Sequence, residues 1–157
     1  MYFISIIAVI AAAIWMYVTT GVGYPYFAMF LDLPSLIGLV ILIFPLLISG
    51  DALKDLVNAF SIIISKNKEI TFIQLKKSRE AVDFTIKIIV VSTILLSVFS
   101  LIVSAWFVEK NNVETLYDLV KSTAVSLLPI VYSAAAVLLL IPVKTRINRL
   151  IIEFIQE

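Results

Sequence analysis

Hydroxyl side chains are the chemistry-bearing groups that fall at regular spacing in the apolar parts of this chain. Thr93, Ser97, Ser100 and Ser104 stand 4, 3 and 4 residues apart, so all four share one helical face. Ser122, Ser126, Pro129 and Ser133 repeat that spacing in a later apolar stretch. Hydroxyls coordinate ions and water but do not titrate near neutral pH, so they can line a path without carrying a proton themselves. In membranes such stripes are more often helix contacts than pores. Two matched stripes on adjacent helices nevertheless point to a polar-lined, close-packed centre.

Other chemistry is excluded by absence. The chain has no cysteine and no histidine, which removes disulfides, thiolate chemistry, histidine general bases and the commonest metal ligands together. No enzyme activity, metal or cofactor is expected. Twelve basic against eleven acidic residues offer no basic surface for nucleic acid.

The elements that must carry the hydroxyls follow from composition and charge. Of the 157 residues 62% are hydrophobic and 15% charged, and the mean hydropathy is +1.11. Soluble domains are roughly half apolar and a quarter charged, so the expectation is an all-α integral membrane protein of one domain, 1–157. Residues 1–31 carry no charge, and Asp32 with Asp51, Lys87 with Glu109, and Lys121 with Lys144 bracket three further uncharged stretches. Each bracketed stretch is about 20 residues, the length that crosses a hydrocarbon core of about 30 Å. Four transmembrane helices are expected, near 1–19, 34–50, 88–108 and 122–143. The opening Met1-Tyr2-Phe3-Ile4 lacks a basic n-region and Ala11-Ala12-Ala13 leads into more apolar sequence, so the first helix is read as retained. No ionisable residue lies inside any of the four expected spans, so the chain holds no proton carrier of the kind pumps keep at mid-membrane.

Orientation follows from Lys and Arg. Ten of the twelve lie in 51–87 and 144–157, and only Lys110 and Lys121 lie on the other side. Both termini and the middle segment are therefore expected in the cytoplasm. Tyr2, Trp15, Tyr17, Tyr24, Tyr26, Trp106 and Tyr117 fall near span ends, where amphipathic rings prefer the interface. Leu53, Leu56, Val57, Phe60, Ile63 and Ile64 repeat at helical spacing, so the second span is expected to run on into the cytoplasm until Lys66-Asn67-Lys68. A charged helix from about Thr71 then leads into the third span, exposing Lys76, Lys77, Arg79 and Glu80 as a rim toward a partner. Ile147, Leu150, Ile151, Phe154 and Ile155 form a stripe on a helix continuing from the fourth span. These stripes either pack on each other, rest at the lipid interface, or build a cytoplasmic collar between subunits.

Phe30-Leu31-Asp32-Leu33-Pro34-Ser35-Leu36, entering a span that ends Leu46-Leu47-Ile48-Ser49-Gly50, resembles the second transmembrane helix of flagellar stator A subunits, the MotA type. Ser126-Leu127-Leu128-Pro129-Ile130-Val131-Tyr132-Ser133, with Pro142-Val143-Lys144-Thr145-Arg146 beyond it, is similar to the last helix of that family and of its ExbB and TolQ relatives. The resemblance implies a homopentamer in the bacterial inner membrane, closed around a single-span partner of the MotB or ExbD kind. That partner's carboxylate would carry the ion, past the third and fourth spans. The implied role is the outer ring of an ion-driven motor or energy-transducing complex, the proton being the expected ion. A non-conducting scaffold with the same ring is the alternative. The chain departs from the family in having only Asp51–Lys87 where flagellar proteins carry a long cytoplasmic insertion, and in Pro129 and Ile130 where the family has hydroxyls. Asp32, Pro34 and Ser35 also have an ordinary explanation: an acidic residue and a proline at a helix start satisfy its free amides and its dipole.

Overall fold

The computed structural model of the chain describes residues 6–8, 10, 11, 14, 15, 32–64, 70–110 and 116–156, and among these helix is the only regular structure. The expected first span lies mostly outside the described residues, as do residues 20–31 and the Lys66-Asn67-Lys68 break. Five helices carry the rest: α1 (Leu33–Ser49), α2 (Ala52–Ile64), α3 (Phe72–Lys110), α4 (Leu116–Ser126) and α5 (Leu128–Gln156). Phe72–Trp106 and Val120–Gln156 are each long and apolar enough to cross a membrane, and α1 with α2 makes a third candidate only as a pair bent by 98°. At about 1.5 Å per residue α3 is nearly 60 Å long, about twice a hydrocarbon core.

The bend corrects the expectation that the second span runs straight on. The Gly50 N–H donates to Leu46 O and the Asp51 N–H to Ile48 O, both at 3.1 Å, which closes α1. Asp51 then takes φ 49, the left-handed conformation that commonly stops a helix and redirects the chain. The apolar spacing beyond it is helical as expected, but α2 is a separate rod turned across the bundle. A second interruption falls at Leu127, between α4 and α5. Pro129 has no N–H to give to the carbonyl of Val125 and its ring crowds that turn, so the ladder restarts: the Ile130 N–H donates to Leu127 O at 3.0 Å.

α3 and α5 form the backbone of the fold. Leu75, Ser78, Val82, Thr85, Ile89 and Ser92 alternate steps of three and four along α3, and every one is buried. Pro129, Ser133, Ala136, Leu140, Val143 and Ile147 do the same on α5, all buried but the half-buried Ala136. This is the seam of two antiparallel, supercoiled helices. Its register is fixed by a Lys144 Nζ to Asp83 Oδ1 contact of 2.6 Å and by Ser104 against Ser126 at 3.1 Å. α2 lays Ala59 and Ile62 into the same core as Leu75, Val82, Val143 and Ile147. α1 runs antiparallel to α3, with Gly38 beside Leu96 and Gly50 beside Phe84. A Cβ built on Gly50 would stand 2.5 Å from the Phe84 ring, so a larger residue here would require that ring to move aside.

These contacts place Gly50, Asp83 and Lys144 at one level. On one side of it α3 has no charged residue from Ile88 to Trp106, about 30 Å of helix. On the other side lie the charged ends of α3 and α5 with α2. The Asp83–Lys144 pair is about a third exposed on each side chain, so its contribution is under about 1 kcal/mol. It marks the level more than it stabilises it.

Candidate polar interface between α3, α4 and α5

Both hydroxyl stripes are enclosed within a single chain. Thr93, Ser97, Ser126, Pro129 and Ser133 are buried, and Ser100, Ser104 and Ser122 are half-buried. The cause is the seam: where two helices approach closely, small hydroxylated side chains fit and long ones do not.

Three of the seven hydroxyl hydrogens in the stripes are committed to their own helix. Thr93 Oγ1 donates to Ile89 O at 2.7 Å, Ser126 Oγ to Ser122 O at 2.9 Å and Ser133 Oγ to Ile130 O at 3.1 Å. Thr85 Oγ1 likewise donates to Ala81 O at 2.7 Å. A hydroxyl bonded back to its own carbonyl turns only lone pairs outward, so it accepts and cannot donate. Because Ser126 gives its hydrogen to Ser122, the Ser104–Ser126 contact has Ser104 as donor. Ser104 and Ser126 are thus joined directly, at the end of the bundle remote from Asp83 and Lys144. Ser97 is different. Its Oγ is fully enclosed and has no hydrogen-bond partner, the orphan of the stripe. What the interface offers chemically is a set of acceptor oxygens and, at Ser97, an enclosed unspent hydroxyl, with no titratable group among them.

The helix-start residues do something other than expected. The Asp32 carboxylate caps no backbone amide. Instead it accepts the Ser35 hydroxyl, while the Asp32 N–H donates to Tyr132 Oη at 2.9 Å and ties α1 to α5. Pro34 sits in the first turn of α1 as its fixed φ favours. Asp32 is at the N-cap as expected, but its carboxylate holds Ser35 and not a free amide, and its backbone N–H is the tether to α5. Lys76, Lys77, Arg79 and Glu80 are all exposed on the charged end of α3.

Sequence reasoning passed over several members of this arrangement. Tyr132 was treated only as part of a family-like stretch, although a tyrosine one helix away from a charged helix start is an available acceptor. Ser78, Thr85 and Ser92 lie on the α3 seam, and the signal for them was the three-four alternation with Leu75, Val82 and Ile89. Ser78 Oγ and Asn148 Oδ1 are two further buried polar atoms without partners, both at the charged end. No family model matches this chain, and neither a curated protein nor a solved structure matches it.

Proposed function

We propose that the chain is a ring-forming membrane subunit that surrounds a single-span partner in an ion-driven, proton-type motor or energy-transducing complex. The observation that carries this reading is the unfinished charged end. Phe72 and Ile73 on α3 and Ile152 and Ile155 on α5 stand exposed, about 12 to 17 Å along their helices from the Asp83–Lys144 level. Ile155 is 69% exposed and Ile73 67%. That far from an apolar phase lipid does not cover them, and a second copy does. The tail stripe splits accordingly: Ile147, Leu150 and Ile151 are used within the chain, and Phe154 and Ile155 are left open. The charged end is cytoplasmic by the Lys and Arg bias. Five copies, and the partner's carboxylate as ion carrier, come from the MotA-like resemblance of Phe30–Leu36 and Ser126–Ser133. The uncharged span of α3 and hydroxyls that do not titrate near neutral pH support a carrier supplied from outside the chain.

A second reading, a non-conducting scaffold with the same ring, is favoured by Thr93, Ser126 and Ser133 being bonded back to their own helices and Ser104 to Ser126 within one subunit. Native mass spectrometry from detergent tests the ring, with a pentamer expected and a stable monomer or dimer overturning it. Liposome flux separates the two readings. The chain alone should be ion-tight, and a single-span partner bearing one intramembrane carboxylate should open it. Selective proton flux through the chain alone, abolished by Ser97→Leu, would refute the two-component reading.

A further inference from the structure

At the elbow between α1 and α2 an open cleft of about 450 Å3 lies against α3, lined among others by Asp51, Asp55, Lys77, Glu80 and Phe84. Three carboxylates face one ammonium there, on a charged end that otherwise carries more Lys and Arg than Asp and Glu. None of these carboxylates has an ion-pair partner among the described residues.

Two arginines on α5 are in the complementary condition. Arg146 and Arg149 are exposed on α5, three residues apart and so on one face, and no described carboxylate bridges to either. Lys77 lies six residues before Asp83, about 120° round α3 from the side chain that meets α5, so cleft and arginines face different ways. Their depths agree. From the bridged Asp83–Lys144 pair, Glu80 and Lys77 lie about 4.5 and 9 Å along α3 toward the charged end, and Arg146 and Arg149 about 3 and 7.5 Å along α5 in the same direction. A ring about the membrane normal brings together only surfaces at equal depth, and it needs two different, complementary flanks on each subunit. Arg149 also continues an uninterrupted exposed stripe, Ala134, Leu138, Ile141, Thr145, Arg149 and Ile152, along the whole of α5.

We propose that the elbow cleft of one subunit receives Arg146 and Arg149 of the next copy, so that α5 of each subunit docks on the α1–α2 elbow of its neighbour. This contact rests on the ring reading and names the surfaces that close it. The guanidinium groups give the cleft carboxylates bidentate partners. Phe84, 39% exposed, offers a ring face for the arginine stems.

The chain contains no cysteine, so disulfide trapping needs no background removal. Asp55→Cys with Arg149→Cys, oxidised in native membranes, should give a ladder of covalent oligomers on a reducing-agent-free gel, and each single variant at most a dimer. A double variant that stays at monomer mass while native mass spectrometry still shows a ring overturns this contact and spares the ring. The absence of any ring overturns both. As an independent check, Arg146→Glu with Arg149→Glu should shift the assembly toward monomer by tenfold or more, and adding Asp55→Lys with Glu80→Lys should restore it. No rescue by the reciprocal pair overturns the proposal.

Discussion

Ile147 and Ile89 belong to the same core cluster, and both are buried. They sit on opposite sides of the Gly50–Asp83–Lys144 level, Ile147 toward the charged end and Ile89 toward the uncharged one. Truncating each to alanine removes the same three carbons but takes them out of different reference phases. At Ile147 the unfolded side chain faces water. Losing three buried methylene equivalents then removes about 2.4 kcal/mol of transfer free energy. The residual cavity brings the total to about 3 to 4 kcal/mol, inside the range seen for such truncations. At Ile89 the alternative to the core is lipid, which is as apolar as isoleucine, so the transfer contribution vanishes and only packing is lost, about 1 to 1.5 kcal/mol. Ile147→Ala should therefore destabilise more than Ile89→Ala by about 2 kcal/mol, a factor of about 30 in the unfolding equilibrium. Steric trapping in bicelles, read as the binding isotherm of a bulky trap, measures both losses in one lipid environment. Equal losses, or a larger loss at Ile89, would refute the assignment of the level at which the chain leaves the apolar phase.

Asp51→Gly should stabilise the elbow by about 0.5 to 1 kcal/mol, because φ 49 costs an L residue and costs glycine nothing, whereas Asp51→Val should destabilise by more than that. The same trapping assay reads both. Tyr132→Phe removes the acceptor of the Asp32 N–H and should cost about 1 kcal/mol, with increased amide exchange at the start of α1 as the local signature.

What the sequence made legible was set by charge and period. The uncharged stretches bracketed by Lys87 with Glu109 and Lys121 with Lys144 recur as the apolar lengths of α3 and of α4 with α5, because a membrane-crossing helix cannot carry unpaired charge without large cost. The 98° elbow was not legible in the apolar stripe from Leu53 to Ile64. Helical period records which residues share a face and nothing of where the axis points, and it continues unbroken past Gly50. The signal was in Ser49-Gly50-Asp51, a glycine just after an apolar run, where helices commonly stop. The first hydroxyl stripe shares one face of α3, which spacing alone decides, while the second is divided between α4 and α5. What those faces meet is a tertiary fact: the same stripe suits a seam within one chain or a lining between several. Asp32 was misassigned because its neighbourhood in sequence contains only α1, whereas its partner Tyr132 lies one hundred residues away on α5.

The open faces of α3 and α5 within the uncharged zone bear on which helix meets a neighbour. On α3 the exposed positions from Val90 to Trp106 are all large but Ala105 near the end, while Thr85, Ser92, Thr93 and Ser97 are turned inward. Large side chains lose nothing by facing lipid tails and hold a second helix at a distance. On α4 and α5 the exposed positions include Ala124 and Ala134 among Leu127, Val131 and Leu138, and small side chains among large ones are what lets membrane helices approach. The α4–α5 face carries two such small residues, Ala124 and Ala134, against Ala105 alone on α3. It continues without interruption into Arg149 and Ile152 at the charged end. One helix face thus runs from an alanine-bearing membrane half to an arginine-bearing aqueous half, and a neighbour that docks along it is matched by packing in one phase and by charge in the other. A lipid could fill the first half but leaves the second unpaired, which is the reason to expect another protein surface along the whole face.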